Sequence, residues 1–472
     1  MKHDLTQYDG VGLKQLIDQR EVTPCEVRQY FAERMKKLNP TLNAVVHTIP
    51  EAIDETESAV DGPLSGLPFL IKDLNPVKGH PLTNGSALLD GFTAPEDDLF
   101  VKRYRKAGLH ILGKTNTPEF GFTPVTEPQL FGATYNPWDL TRSPSGSSGG
   151  AAAAVASGMV PFAHASDGGG SIRMPASMNG LFGFKPSRGR TAMSPYINQI
   201  SVNHALTRSV RDSAALLDVI QGGTQADVYP TLPIEQSFLQ QLDQYHKPLT
   251  IGVSLDWGGQ VPVDTDTREA FNEAVKLLTD LGHHVHMIDP PLDFADFTEQ
   301  FMNVWIASGA VAIDHVGAMV GKTPSEKTLE PLTHEIYEAG QQMDAFTYES
   351  SRVRMQVISQ QMMQLHDTFD VIVTPVFNQK TFKTGELNPQ SIADMTTIMM
   401  KHCSFTQLAN ASGQPAMSVP IYWSNDQLPI GIQFQAGLGH DALLFQLAHQ
   451  IESAKPWFYR YQQLESSLQS II

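Results

Sequence analysis

Cysteine is nearly missing from this chain: Cys25 and Cys403 are the only two in 472 residues. Two thiols cannot make a disulfide framework or a cysteine-based zinc site, so stability must come from burial. Positive charge is scarce as well. Lys and Arg number 33 against 50 Asp and Glu, a net charge of −17, which argues against a broad electrostatic footprint for nucleic-acid phosphates. No stretch approaches the ~20 apolar residues of a membrane span, and the first ten residues, MKHDLTQYDG, lack the apolar segment of a secretory leader. The expectation is a cytoplasmic protein with neither a membrane nor a nucleic-acid partner.

What is present is an ordinary globular composition, 41% hydrophobic and 18% charged, whose length alone suggests about three domains at ~150 residues each. Apolar residues at helical spacing over 12–38, broken at Thr23-Pro24, predict two surface helices. The run GLPFLIKDLN (66–75) predicts a short buried strand ending at Lys72. Residues 97–116 read as a helix followed by a strand, and the alternation returns in FNEAVKLLTDLG, HHVHMI, DVIVTPVF, PAMSVPIYW and ALLFQLAHQIESA. Helices alternating with strands predict an α/β fold.

Residues 143–190 break this pattern, being saturated with Gly, Ser and Ala. Such composition usually marks a flexible linker. Here, however, a strong helix former, Ala151 to Ala156, directly follows the Gly/Ser cluster, and the strand-like PFAHA comes next. Small residues in that frame point to close backbone packing and anion-binding helix N-termini.

Some motifs look chemical without being so. Gly108 and Gly113-Lys114-Thr115 fit a phosphate-loop pattern, but the intervening Leu109-His110-Ile111-Leu112 should be strand where a phosphate cradle needs a loop. His283, His284 and His286 suggest a metal. Strand alternation separates His283 from the other two, and the bland reading is a solvated edge strand. The pairs Met362-Met363 and Met399-Met400 read as adaptable packing. No metal site is expected.

Three features remain: Lys72 at the end of a buried strand, Ser147 in SGSSGG before a helix, and Ser171 after three glycines in SDGGGSIR. Together they offer a base, a relay and a nucleophile for covalent acyl transfer. A lysine is a poor base at its ordinary pKa of ~10.4, but burial disfavours its charged form and can lower that value by several units. Leu70 and Ile71 supply an apolar setting, and alternation turns Asp73 away. Amides of Gly168, Gly169 and Gly170 are unshielded by side chains and could converge on one oxygen as an oxyanion hole.

At these residues the sequence resembles the amidase signature family. The carriers are GLPFLIKD, GKTNTPEFG, YNPWDLTRSPSGSSGGAAAAVASG, ASDGGGSIRMPASMNGLFGFKPSRGR, LTRSVRDSAALLDV and PAMSVPIYWSNDQLPIGIQF, spread over nearly the whole chain. The resemblance implies a Ser, cis-Ser, Lys triad, which falls on Ser171, Ser147 and Lys72. It also implies supporting roles for Ser148, for Asp167 in holding the glycine loop, and for Arg173 as a structural brace. By the same resemblance the loop after the GKTN strand borders an acyl pocket, pointing to Phe122 and Thr123 as substrate-binding residues. Gly168 departs from the commoner D-T-G-G-S form. The D-G-G-G-S form resembles a subgroup that includes hydrolases of cyclic and linear oligoamides.

The implied fold is one large α/β domain over 1–472, with a central mixed, twisted sheet covered by helices on both faces. Its parts would be N-terminal helices (about 1–60), a catalytic core (about 61–220) and a substrate-cap and C-terminal sheet region (about 221–472). Residues 293–390 match no motif and are expected to cap the site. The implied activity is hydrolysis of a small-molecule amide to a carboxylate plus ammonia or an amine, without cofactor, by a monomer or homodimer. Two alternatives stand beside it: the A-type glutaminase component of a tRNA-dependent amidotransferase, and a catalytically silent binding protein on the same scaffold.

Overall fold

Thr23 opens the helix Pro24–Leu42 with a reciprocal capping box, its hydroxyl accepting from Glu26 N while the Glu26 carboxylate accepts from Thr23 N. Pro24 sits at the first helical position, where a missing N–H costs nothing. With Gly10–Asp18 it forms the predicted helical pair. The computed structural model describes residues 4–54, 62–192, 200–225, 236–244 and 247–469. The boundary expected near residue 60 lies outside them.

Two sheets organise the chain, where the sequence suggested one. A three-stranded sheet has the order β1 (Val45–Thr48), β3 (His110–Thr115), β2 (Pro68–Lys72). The large sheet has eight strands: β4 (Phe162–Asp167), β6 (Val202–Thr207), β5 (Phe182–Lys185), β10 (Ala416–Trp423), β11 (Pro429–Ala436), β9 (Val371–Pro375), β7 (Thr250–Val253) and β8 (His284–Met287), in that spatial order. Pairing is antiparallel from β4 through β9 and parallel from β9 through β7 to β8. The sheet is mixed and flanked by helices in a single α/β domain. The Lys72 strand thus belongs to the small sheet, and the Ser171 loop to the large one.

The Gly/Ser/Ala stretch is structure rather than linker. Gly149–Ala156 is a helix buried at every residue, and PFAHA begins β4. A Cβ on Gly150 would lie 2.5 Å from Asn116 N and 2.6 Å from Ala44 O, so only glycine lets this helix meet the end of β3. The phosphate-loop look-alike is β3 itself, buried throughout. Its Lys114 pairs with Asp73 and donates to Pro81 O at 2.9 Å. The histidines also separate: His283 is buried, accepting from Leu249 N at 3.1 Å through Nδ1 and facing Gln450, whereas His284 and His286 lie exposed on the edge strand β8.

One expectation is corrected here. The helix Phe294–Val320 is, by length and composition, apolar enough to cross a membrane. Its apolarity has a local cause: Phe294, Phe297, Phe301, Met302, Trp305 and Ile313 pack into a second core cluster shared with the helices Pro331–Gln342, Ala345–Met363 and Ile392–Lys401. These helices cover the face of the molecule above the glycine loop.

Candidate active site

β2 is buried at all five residues, so Lys72 ends it with no exposed flank. Its amine is surrounded by hydroxyls: Nζ donates to Ser147 Oγ at 2.7 Å, Ser148 Oγ at 3.0 Å and Ser166 Oγ at 3.1 Å. Burial lowers the lysine pKa and the Asp167 carboxylate pulls it up, leaving it at about 7. Neutral hydroxyls do not stabilise the charge as a paired carboxylate would. Asp73, as alternation predicted, is occupied elsewhere, with Lys114 and Thr83.

Ser147 and Ser148 come from the turn that starts the 149–156 helix. The Gly146–Ser147 peptide is cis, as the family resemblance implied. Ser148 is the N-cap residue, yet its hydroxyl makes no cap bond. It accepts from Lys72 instead and donates to Ser166 O at 3.3 Å. Ser166, one residue from the end of β4, was not singled out from the sequence. A hydroxyl residue next to Asp167, just before the glycine loop, was the signal available.

Ser171 follows the turn that Asp167 ties together. Asp167 accepts from Gly170 N at 2.7 Å, from Ile172 N at 3.2 Å and from Arg173 Nε at 3.0 Å. Burial raises its pKa, but the Arg173 guanidinium overrides this and holds it at about 2. Arg173 is fully buried. Besides Asp167 it donates to Thr406 O, Gln433 Oε1 and Asn410 Oδ1 at 2.6–2.7 Å, which makes it a brace for the loop. Gly170 has φ +134°, and a Cβ there would meet Thr406 Oγ1 at 2.3 Å.

The glycine loop corrects one detail. Because Gly170 N is taken by Asp167, it cannot serve an oxyanion. Among the described residues, the amides of Gly168, Gly169 and Ser171 have no partner. Ser171 Oγ likewise makes no hydrogen bond to a described residue, and Ser171 lines a largely apolar cavity.

Phe122 and Thr123 both line that cavity. Phe122 is also a core residue, its ring stacked on Phe120 at 5.7 Å and edge-on to Trp305 at 5.9 Å. The 293–390 region contributes Phe301, Met302 and Trp305 to the cavity lining. Missed from the sequence were Met395, Met399, Cys403 and Gln407, just beyond that region, and Met174. Apolar residues at helical spacing look the same whether they fill a core or wall a cavity.

A buried, pKa-lowered lysine, a serine turn and a glycine loop with free amides beside an apolar cavity are the parts of an amide-bond hydrolase. Comparison with known proteins agrees. Residues 26–445 match the Amidase family, and the chain belongs to the amidase signature family. It is 33% identical to the 6-aminohexanoate-cyclic-dimer hydrolase of Pseudomonas sp. (strain NK87), over 98% of each chain. The solved structure of 6-aminohexanoate cyclic dimer hydrolase complexed with substrate superposes with a TM-score of 0.92 at 30% identity, covering 98% of this chain and 99% of that one. A bacterial aryl acylamidase of the same family gives 0.85 at 25% identity, covering 97% of this chain and 98% of that one. The chain is an amide-hydrolysing enzyme, and the amidotransferase reading is not favoured.

Proposed function

We propose that Ser171 is the nucleophile, Ser147 the relay and Lys72 the base of this hydrolase. The observation that carries the reading is the 2.7 Å contact between Ser147 and a lysine whose pKa is brought to about 7. Neutral Lys72 accepts the Ser147 proton as Ser147 accepts that of Ser171, and Ser171 Oγ bonds to the amide carbon. The carbonyl electrons move onto oxygen, which accepts from the amides of Gly168, Gly169 and Ser171. The proton returns through Ser147 to the leaving nitrogen as the C–N bond breaks. Water then adds to the acyl-enzyme by the same relay, releasing the carboxylate and restoring Ser171.

The Ser147–Ser171 link is the one the proposal requires substrate binding to close, as catalytic hydrogen bonds often do. Ser148 and Ser166 hold the lysine, while Asp167 and Arg173 hold the loop. The substrate is a small amide whose apolar portion occupies the cavity between Phe122, Thr123 and the 294–320 helix. The relatives' names make oligoamides natural first candidates. The enzyme works in the cytoplasm, as a monomer or homodimer, and needs no cofactor for these steps.

Ser171→Ala tests the assignment. Turnover on an amide panel should fall by about 10³-fold or more with an unchanged circular dichroism spectrum. Residual activity within tenfold of the wild type would refute it.

A further inference from the structure

The three glycines before Ser171 are not alike. Gly170 has φ +134°, in the region that favours glycine, whereas the φ values of Gly168 and Gly169 fall outside it. Backbone conformation therefore does not call for glycine at 168 or 169. What a side chain would meet there is the helix Phe294–Val320. A Cβ on Gly168 would lie 3.3 Å from Trp305 Cζ3 and 3.5 Å from its Cη2, and one on Gly169 would lie 3.5 Å from Phe301 Cζ.

Phe301, Trp305 and Gly309 follow at four-residue spacing on that helix and so share one face. The Trp305 ring is stacked on Phe301 at 5.8 Å and edge-on to Phe122 at 5.9 Å, and a Cβ on Gly309 would meet Phe122 Cζ at 3.1 Å. Glycine in the loop and glycine in the helix thus let the indole and the Phe122 ring settle against each other. Phe122, Phe301 and Trp305 line the cavity beside Gly169 and Ser171. Elsewhere that wall is methionine, whose flexible side chain can repack around a ligand. The indole cannot, being 8% exposed and wedged between two rings and the loop backbone. Gly168 is also the residue at which the loop departs from the D-T-G-G-S form, and a threonine there would carry two further atoms on a Cβ that itself touches the indole.

We propose that Trp305, seated on Gly168, is a specificity-determining residue: its indole is the wall that limits how long an acyl group the cavity accepts, and Gly168 is the residue that lets it sit there. The acyl group is the part of the substrate bonded to Ser171 in the intermediate, so the inference rests on Ser171 acting as nucleophile. A close-packed wall rejects an added methylene by overlap, and one methylene in an apolar pocket changes kcat/KM by about 10-fold or more. The selection is by length, and it acts on the acyl side of the scissile bond.

The test measures kcat/KM on two series: straight-chain acyl 4-nitroanilides of increasing acyl length, and amides of one short acid with amines of increasing length. In the wild type the acyl series should show a cutoff, with a fall of about 10-fold per methylene beyond it. Trp305→Leu should move that cutoff by about two carbons or more and leave the profile of the amine series in place. Trp305→Phe, which keeps a ring against Phe301, should move it the same way by less, and serves if the leucine variant does not fold. Gly168→Thr should cost about 10-fold or more on the best acyl substrate, and most of that loss should vanish when it is combined with Trp305→Leu, since contacting residues do not act additively. A cutoff that neither Trp305 variant moves overturns the proposal, as does a uniform fall across the acyl series, which is what a merely structural indole would give. So does a shift in the amine series instead, or a Gly168→Thr loss that Trp305→Leu leaves unrelieved. If Ser171→Ala keeps wild-type turnover, the nucleophile assignment falls and takes this one with it. If Ser171→Ala is inactive but the acyl cutoff does not move, this one alone falls.

Discussion

At Lys72 burial and charge oppose each other, and burial wins. Stripping water from the ammonium lowers its pKa, and the Asp167 charge recovers only part of the shift, leaving it at about 7. Only the neutral lysine can accept the Ser147 proton, so kcat/KM should rise with pH through about 7 and level off above it. Lys72→Met should lose that limb together with about 10³-fold or more of the rate. A profile flat from pH 6 to 9 would contradict the lysine base. Asp167 and Arg173 make the converse case, two opposite charges that are tolerable in the interior because each satisfies the other. Arg173→Met leaves Asp167 buried and without its countercharge, and should lower stability by about 3–5 kcal/mol in a denaturant melt. Lys72, Ser147 and Ser171 could be proposed from the sequence because each sits in a motif that carries the family resemblance. Ser166 was not, since its contact with Lys72 exists only when β2 of one sheet lies beside β4 of the other.

Elements were read well where periodicity decides them: β2, β3, β4, the 24–42 helix and the 149–156 helix all stand where the pattern put them. Periodicity could not say which strands share a sheet, because that choice depends on partners far along the chain. The seam between the cap and the pocket wall was also invisible. Glu119, in the turn just before Phe122, accepts from Ser86 Oγ at 2.5 Å and from Glu330 N at 2.8 Å, fastening the start of the 331–342 helix to the wall. Glu119→Ala should therefore loosen the cap, raising KM for apolar amides and lowering stability by about 1–3 kcal/mol. Burial, with Glu119 nearby, raises the Glu330 pKa to about 7. A carboxyl raised above its unfolded value of about 4.5 stabilises the fold while protonated and stops doing so as pH rises through its folded pKa. Between pH 5 and 8 the wild type should lose more thermal stability than Glu330→Gln. Parallel Tm curves for the two proteins would remove Glu330 from the seam.

For the whole molecule, the length prior of about three domains gives way to one. The hydroxyls of Ser147, Ser148 and Ser166 all lie within 3.1 Å of the Lys72 nitrogen, an arrangement that independent folding units could not maintain. The Gly/Ser stretch that composition alone would assign to a linker is the centre of that arrangement. The 294–320 helix shows the limit of composition in the other direction, since its apolar face packs against neighbouring helices. With all three proposed catalytic groups on one chain, the purified protein should hydrolyse simple amides without a partner chain. Whether Ser171 is the residue acylated is decided by treating the folded enzyme with a fluorophosphonate and mapping the adduct by peptide mass spectrometry. Stoichiometric labelling of Ser171, suppressed in Lys72→Met, is the expected result; an unlabelled Ser171, or an adduct on another serine in active enzyme, would contradict the proposed mechanism.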